Sequence, residues 1–208
     1  MAAKFMEVAT TPAVRAAQQH YYGGGPKVAP ETAGERTPLG PEEVAFITER
    51  DSFYLATVSE TGWPYLQHRG GPPGFLRVLD EHTLAFADLK GNRQLLSTGN
   101  LSGGNDRTAL FLMDYPQRTR LKIIGHARVL DAGEEPELAR RVAPDDVLLA
   151  RTERVFVVDV VSFDWNCAQY ITPRHTMEDI ELHVAAPLRA RIAELEARLG
   201  VGNVKNSG

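Results

Sequence analysis

Between Arg120 and Leu130, the residues Leu121, Ile123, Gly125, Ala127 and Val129 alternate with Arg120, Lys122, Ile124, His126 and Arg128. A period of two puts the first set on one face of a strand and the second, mostly basic, on the other. The segment therefore belongs in a sheet with one face against a core. Neighbouring segments carry related signatures. Phe53 to Val58 is β-branched and aromatic, Ser59-Glu60-Thr61-Gly62 is a turn, and Trp63 to His68 returns as the second arm of a hairpin. Phe75 to Leu79, Thr83 to Leu89, Thr108 to Asp114 and Arg154 to Phe163 supply further strands, most of them joined by short polar turns. Helical composition interrupts this series twice, at Gly91 to Leu101 and at Glu134 to Val142. Sequential antiparallel strands with edges to hide point to a small closed or split barrel, not to a parallel sheet with crossover helices. The strand at 154–163 is apolar on both faces, so its outer face needs a cover, for which a second subunit is the economical candidate.

The flanks read differently. Thr11-Pro12 offers a capping hydroxyl and a proline at the first helical position, which predicts a short helix to about His20. Tyr22 to Gly40, rich in glycine and proline, reads as an arm laid over a surface rather than packed in a core. Pro41-Glu42-Glu43 opens another helix with acidic residues at the positive end of its dipole, ending near Asp51. Met177 to Leu199 is helical in composition, with a break expected at Pro187. Beyond that break Leu188, Ile192, Leu195 and Leu199 form an apolar stripe; at three turns it is expected to pack on a neighbouring surface rather than form an independent coiled coil.

Composition narrows the function. The 208 residues suit one domain with extensions, and 43% hydrophobic and 24% charged residues describe a chain able to bury a core. The formal net charge of −4 offers no basic excess for a nucleic-acid backbone. A single cysteine, Cys167, forms neither an internal disulfide nor a cysteine-paired zinc site, which fits a reducing cytoplasm. Neither a signal-peptide core nor a run of about 20 apolar residues is present, so a cytoplasmic protein without membrane contact is expected. No Walker A, G-x-G-x-x-G, H-E-x-x-H or G-x-S-x-G pattern occurs, and the six histidines are scattered, so no metal site is expected.

Three polar clusters remain. The strand at 83–89 runs into Lys90-Gly91-Asn92-Arg93-Gln94, which would open a helix and combine free backbone N–H groups with Lys90, Asn92 and Arg93 as donors to a phosphate monoester. Gln67-His68-Arg69 followed by Gly70-Gly71-Pro72-Pro73-Gly74 would let backbone approach a ligand closely. Trp165 to Tyr170 carries amide and aromatic groups that suit a planar heteroaromatic ligand or a subunit contact.

The runs Phe53-Tyr54-Leu55-Ala56-Thr57, Pro64 to Phe75 and Phe86-Ala87-Asp88-Leu89-Lys90-Gly91-Asn92-Arg93 resemble the pyridoxamine 5'-phosphate oxidase-like, FMN-binding split-barrel family, in particular a bacterial branch of it; Trp165-Asn166-Cys167 with Gln169 also resembles that branch. The resemblance covers about residues 41 to 170. It implies a mostly β, antiparallel split barrel at residues 41–175, between an N-terminal helix and arm at 1–40 and a C-terminal helical extension at 176–208. It also implies a homodimer with two FMN sites at its interface. Lys90, Asn92 and Arg93 match the family's phosphate-binding turn, and Gln67, His68 and Arg69 lie on the strand that lines the flavin and its phosphate. Ala87 and Asp88 match backbone positions beside the ring, while Trp165 and Gln169 would come from the partner subunit. The function implied is an oxidoreductase passing electrons or hydride between NAD(P)H and a small molecule. The alternatives are a flavin, haem or deazaflavin binding protein without turnover, and a dimeric scaffold. True pyridoxamine phosphate oxidases close on a substrate-contacting arginine segment, whereas this chain runs through a helix to Asn203-Val204-Lys205-Asn206-Ser207-Gly208, so a substrate other than vitamin B6 is expected.

Overall fold

In the computed structural model, residues 3–26, 36–166 and 168–199 are described. Seven antiparallel strands form one sheet: β1 (Ser52–Val58), β2 (Pro64–Gly70), β3 (Arg77–Asp80), β4 (Thr83–Leu89), β5 (Arg107–Asp114), β6 (Thr119–Asp131) and β7 (Thr152–Asn166). Their order is β2-β1-β5-β6-β7-β4-β3, so the hairpins β1–β2 and β3–β4 lie at opposite ends of the sheet. The sheet curls until the side chain of Arg69 on β2 meets that of Asp88 on β4, which closes the split barrel across its gap. No helix among the described residues is long and apolar enough to cross a membrane.

Alternation decides which side chains fill the interior. Leu121, Ile123 and Ala127 of β6 are buried with Phe53 and Leu55 of β1, Leu110 and Leu112 of β5, Leu84 and Phe86 of β4, and Phe156, Val158 and Val160 of β7. Helix α3 (Pro41–Thr48) adds Ile47 to this core. Between Ile124 and Gly125 the β6–β7 register shifts, Gly125 pairing with Val160 and Ile124 with Ser162. The shift leaves the Val161 carbonyl to accept a bond from Thr37 N at 2.9 Å, and Leu39 N donates to the Glu81 carbonyl at 2.7 Å. The last part of the expected surface arm is thus stitched to the barrel, with Leu39 buried in its core, because bulged and terminal carbonyls need donors. Residues 27–35 of that arm, and Cys167, lie outside the described residues.

Gly125 cannot be replaced cheaply. A Cβ there would stand 2.5 Å from the Asp159 carbonyl oxygen and 3.1 Å from Val158 Cγ1. Gly125→Ala is expected to cost about 2 kcal/mol through overpacking. Gly99→Ala, in helix α4 (Leu96–Ser102) with nothing within 4 Å of the new Cβ, is expected to be neutral or stabilising. Urea midpoints of the two variants check the contrast.

The cover of β7 corrects the sequence-based expectation. Its outward residues Val155 and Val157 pack, together with Ala85 of β4, against Ala139 and Val142 of helix α5 (Pro136–Val142), with Leu149 of the short helix α6 (Asp146–Leu149) alongside. The chain therefore covers this face itself. The β6–β7 connection is long enough to fold back as an amphipathic turn of helix, a solution that the strand's composition alone does not reveal.

Two N-terminal helices, α1 (Ala3–Ala9) and α2 (Pro12–Tyr22), precede the barrel. Only α2 carries the predicted cap, in which Thr11 Oγ1 accepts from Val14 N at 3.3 Å. Tyr115–Arg118 and residues 170–199 form a second compact unit. It contains α7 (Met177–Ile180), a π-helical turn (Glu181–Ala185) and α8 (Ala186–Leu199). The expected break at Pro187 does not occur. The proline sits at the second position of α8, directly after the wider π-helical turn, where the backbone adjusts to its missing N–H. At the start of α7, Thr176 N and Oγ1 both donate to Asp179 Oδ2 at 2.8 Å, and these bonds hold the Asp179 carboxyl below its usual range.

Candidate functional site

The site grows out of the barrel's gap. On β2, an edge strand, Tyr65, Gln67 and Arg69 face the same side as the buried Thr57, Leu55 and Phe53 of β1, their cross-strand partners. Three polar or amphipathic side chains thus occupy inward-facing positions, where a core strand would carry aliphatic ones. Two of them are tied down. Gln67 Oε1 accepts from Ser97 Oγ of α4 at 2.8 Å, and Arg69 Nη1 donates to Asp88 Oδ1 at 2.5 Å.

Asp88 is the hub. Its second oxygen accepts from Arg154 Nε at 2.8 Å, and Arg154 stands directly across from it in the β4–β7 register. Arg154 also pairs with Glu153 at 3.0 Å. The Arg69 guanidinium lies 4.9 Å from the Phe156 ring centroid and 5.5 Å from that of Phe86, on the aromatic floor of the barrel. An arginine held by a carboxylate at its end and two rings below is restricted to one rotamer. Its Nε is buried without a hydrogen-bond partner.

Two grooves flank this bridge and share Arg69, Asp88, Leu89 and Gly91. The first, of about 240 Å³, runs over the inner face of β2 to the turn Gly91–Leu95 and the start of α4. The second, of about 300 Å³, lies beyond the bridge, between the Gly70–Pro72 loop, Phe75 and Phe86, and Leu148 with Arg151. The loop is held close there, since a Cβ on Gly71 would meet Phe75 Cγ at 2.7 Å. Among the described residues no group of three histidine, cysteine or carboxylate side chains could hold a metal ion.

The turn between β4 and α4 differs from its sequence reading. Helix begins only at Leu96, so Gly91–Leu95 is not helical; Arg93 and Leu95 adopt left-handed backbone at φ 63° and 53°. Asn92 Oδ1 accepts from Gln94 N at 3.1 Å, an Asx turn that competes with helix at this point. The turn therefore offers no helix N-terminus at Lys90–Gln94, and Asn92, Arg93 and Gln94 line the end of the first groove.

Of the ten residues singled out from sequence, Gln67, Arg69, Asp88, Asn92 and Arg93 line the first groove. His68, Ala87 and Lys90 line the second, together with Arg69 and Asp88. Lys90 and Arg93, three residues apart, thus point into different grooves. Trp165 and Gln169 line neither. The Trp165 indole donates to Glu43 Oε1 at 2.7 Å and packs edge-on against Phe46, while Gln169 is exposed. The residues that sequence reasoning missed are Tyr65, Ser97, Arg154 and Arg151. Arg154 was detectable only from the β4–β7 register, which sets its charge opposite Asp88.

The model of the pyridoxamine 5'-phosphate oxidase family matches residues 39–159, more than half of the chain. No match is found among curated proteins. Among solved structures, HupZ of Group A Streptococcus is similar at a TM-score of 0.50 and 15% identity, over 66% of this chain and 100% of that one. A conserved hypothetical protein of Mycobacterium tuberculosis gives 0.47 and 18%, over 70% and 95%. An FMN-binding protein of Syntrophomonas wolfei gives 0.41 and 10%, over 61% and 87%. On the family match, with a split barrel whose gap carries a polar groove, the chain belongs to the pyridoxamine 5'-phosphate oxidase family.

Proposed function

We propose that the first groove binds FMN and that the protein is a flavin-dependent oxidoreductase acting on a small molecule. The observation that carries the reading is the charge state of the groove. It is lined by three guanidinium groups, of which Arg69 and Arg154 are clamped on Asp88, whereas Arg93 has no carboxylate partner among the described residues. An uncommitted arginine beside Asn92 and Gln94 suits a phosphate monoester, which bears about −1.5 to −2 charges near neutral pH. The donor set fits the rest of the cofactor as well. Tyr65, Gln67, Ser97 and Thr98 offer hydroxyl and amide groups to a sugar-alcohol chain.

When bound, the flavin supplies the hydride or electron transfer itself. The protein's part is placement. Arg93 and Asn92 would anchor the phosphate, Gln67 would be oriented by Ser97, and the Arg69–Asp88 bridge would divide the cofactor groove from the second groove, where a reactant can approach along Ala87 and Phe86. Leu95 and Leu96, at the edge of the first groove, are large, apolar and exposed. This supports a homodimer in which a second protomer covers the groove, the only way for Trp165 or Gln169 to reach it.

Arg93→Ala is expected to weaken FMN binding about 10- to 100-fold, the loss of one charge-assisted contact. Lys90→Ala, on the other groove, is expected to change it less than about threefold, too little for a lost charge-assisted contact. Quenching of flavin fluorescence during titration reads both. A wild-type protein that takes up no FMN and shows no flavin absorbance would overturn the reading. NADH or NADPH consumption under air by the loaded protein separates an enzyme from a carrier.

A further inference from the structure

The helical run from Met177 to Leu199 contains no buried residue. In α8, Leu188, Ile192, Leu195 and Leu199 are 57%, 54%, 39% and 76% exposed. Their spacing of four, three and four is that of a heptad seam, with Leu188 and Leu195 at d, Ile192 and Leu199 at a, and Ala185 at the preceding a position. The outer positions Ala190, Ala193 and Ala197 are small, strong helix formers with no partner to seek.

We propose that α8 is a self-association surface, pairing with the same helix of a second copy as a short parallel coiled coil. The seam's chemistry selects this occupant. Among parallel coiled coils, Ile at a, here Ile192, with Leu at d, here Leu188 and Leu195, favours two strands over more. In a parallel pair each g position faces the partner's next e position, so Arg191 of one helix meets Glu196 of the other, twice by symmetry. In an antiparallel pair g faces g and e faces e, so Arg191 against Arg198 sets cation against cation, and Arg189 against Glu196 no more than offsets it. The parallel orientation is thus the one without a like-charge contact. Arg191 already pairs with Glu194 on its own helix through one Nη, which leaves other guanidinium N–H groups free for a second carboxylate. Two heptads are marginal in isolation. The pairing therefore acts between protomers at high local concentration, a condition that any dimer of the barrels supplies.

The test uses the full-length chain with Cys167→Ser, so that an introduced thiol is alone. Leu195→Cys, at d, is expected to form an interchain disulfide on mild oxidation, because d positions face each other in register in a parallel pair. Ala197→Cys, on the outer face, is not. Glu196→Arg in the Leu195→Cys background is expected to lower the disulfide-linked fraction about fivefold by turning two attractive pairs repulsive. Adding Arg191→Glu restores it. Equal linkage at 195 and 197, no linkage at 195, or failure of the charge swap to restore it would overturn the proposal. A dimer held by the barrels alone produces one of these results, and FMN titration is unaffected either way, so this inference and the cofactor reading fail independently.

Discussion

Replacing Asp88 with alanine is expected to cost about 3 kcal/mol of stability, which for a chain of this size lowers the melting temperature by about 6–12 °C. The loss comes from what is left behind. Asp88 is nearly buried, and its two oxygens hold Arg69 and Arg154, whose side chains are themselves mostly enclosed. Arg154 keeps Glu153 as a partner. Among the described residues Arg69 keeps the rings of Phe86 and Phe156 but no carboxylate, so an uncompensated guanidinium remains against the barrel floor. Removing one member of a buried ion pair is costly for that reason, whereas removing both is not. The double variant Arg69→Ala, Asp88→Ala should therefore be less destabilised than the sum of the single ones by about 1–3 kcal/mol. Thermal unfolding of the three variants measures this coupling. Strict additivity would mean that the bridge is not what closes the barrel.

Period-two alternation made the strands legible. The β6 pattern predicted Leu121, Ile123, Gly125 and Ala127 as its buried face, with Val129 only partly buried, and β4 was bounded correctly at Thr83–Leu89. Alternation works because burial on one face is a local property of a strand. What it cannot encode is pairing between distant segments, and each departure has that origin. The cover of β7 by α5 joins segments whose mutual fit no single pattern displays. The start of α4 was placed five residues early although Gly91 and Asn92 are poor helix formers, and the Asx bond of Asn92 and the left-handed backbone at Arg93 and Leu95 are properties of the folded turn. For the site, Gln67, Arg69, Asn92 and Arg93 were legible as polar clusters at strand ends. That Lys90 lines the second groove and Arg93 the first is a division that no spacing rule anticipates. Arg154 was invisible as a site residue because the strand around it reads as core.

The floor beneath the bridge gives the largest expected effect. Phe156 is fully buried, stacked on Phe86 with centroids 4.9 Å apart, and lies under the Arg69 guanidinium. Phe156→Ala should cost about 4 kcal/mol, since removing a buried ring forfeits its transfer energy and leaves a cavity that a closed sheet relaxes into poorly. Stability and site are coupled here through one side chain. The ring carries packing for the barrel and a π face for Arg69, and the second role is separable from the first. Phe156→Leu retains much of the volume but no π face, so it should be markedly more stable than the alanine variant while sharing a looser Arg69. If the bridge positions the cofactor groove, both variants weaken FMN binding, and only alanine lowers the urea midpoint severely. An alanine variant within about 1 kcal/mol of wild type would contradict the packing argument, well below the cost of emptying an aromatic core site. Normal FMN affinity in both would confine Arg69 to closing the barrel, leaving Arg93 and its turn to hold the cofactor.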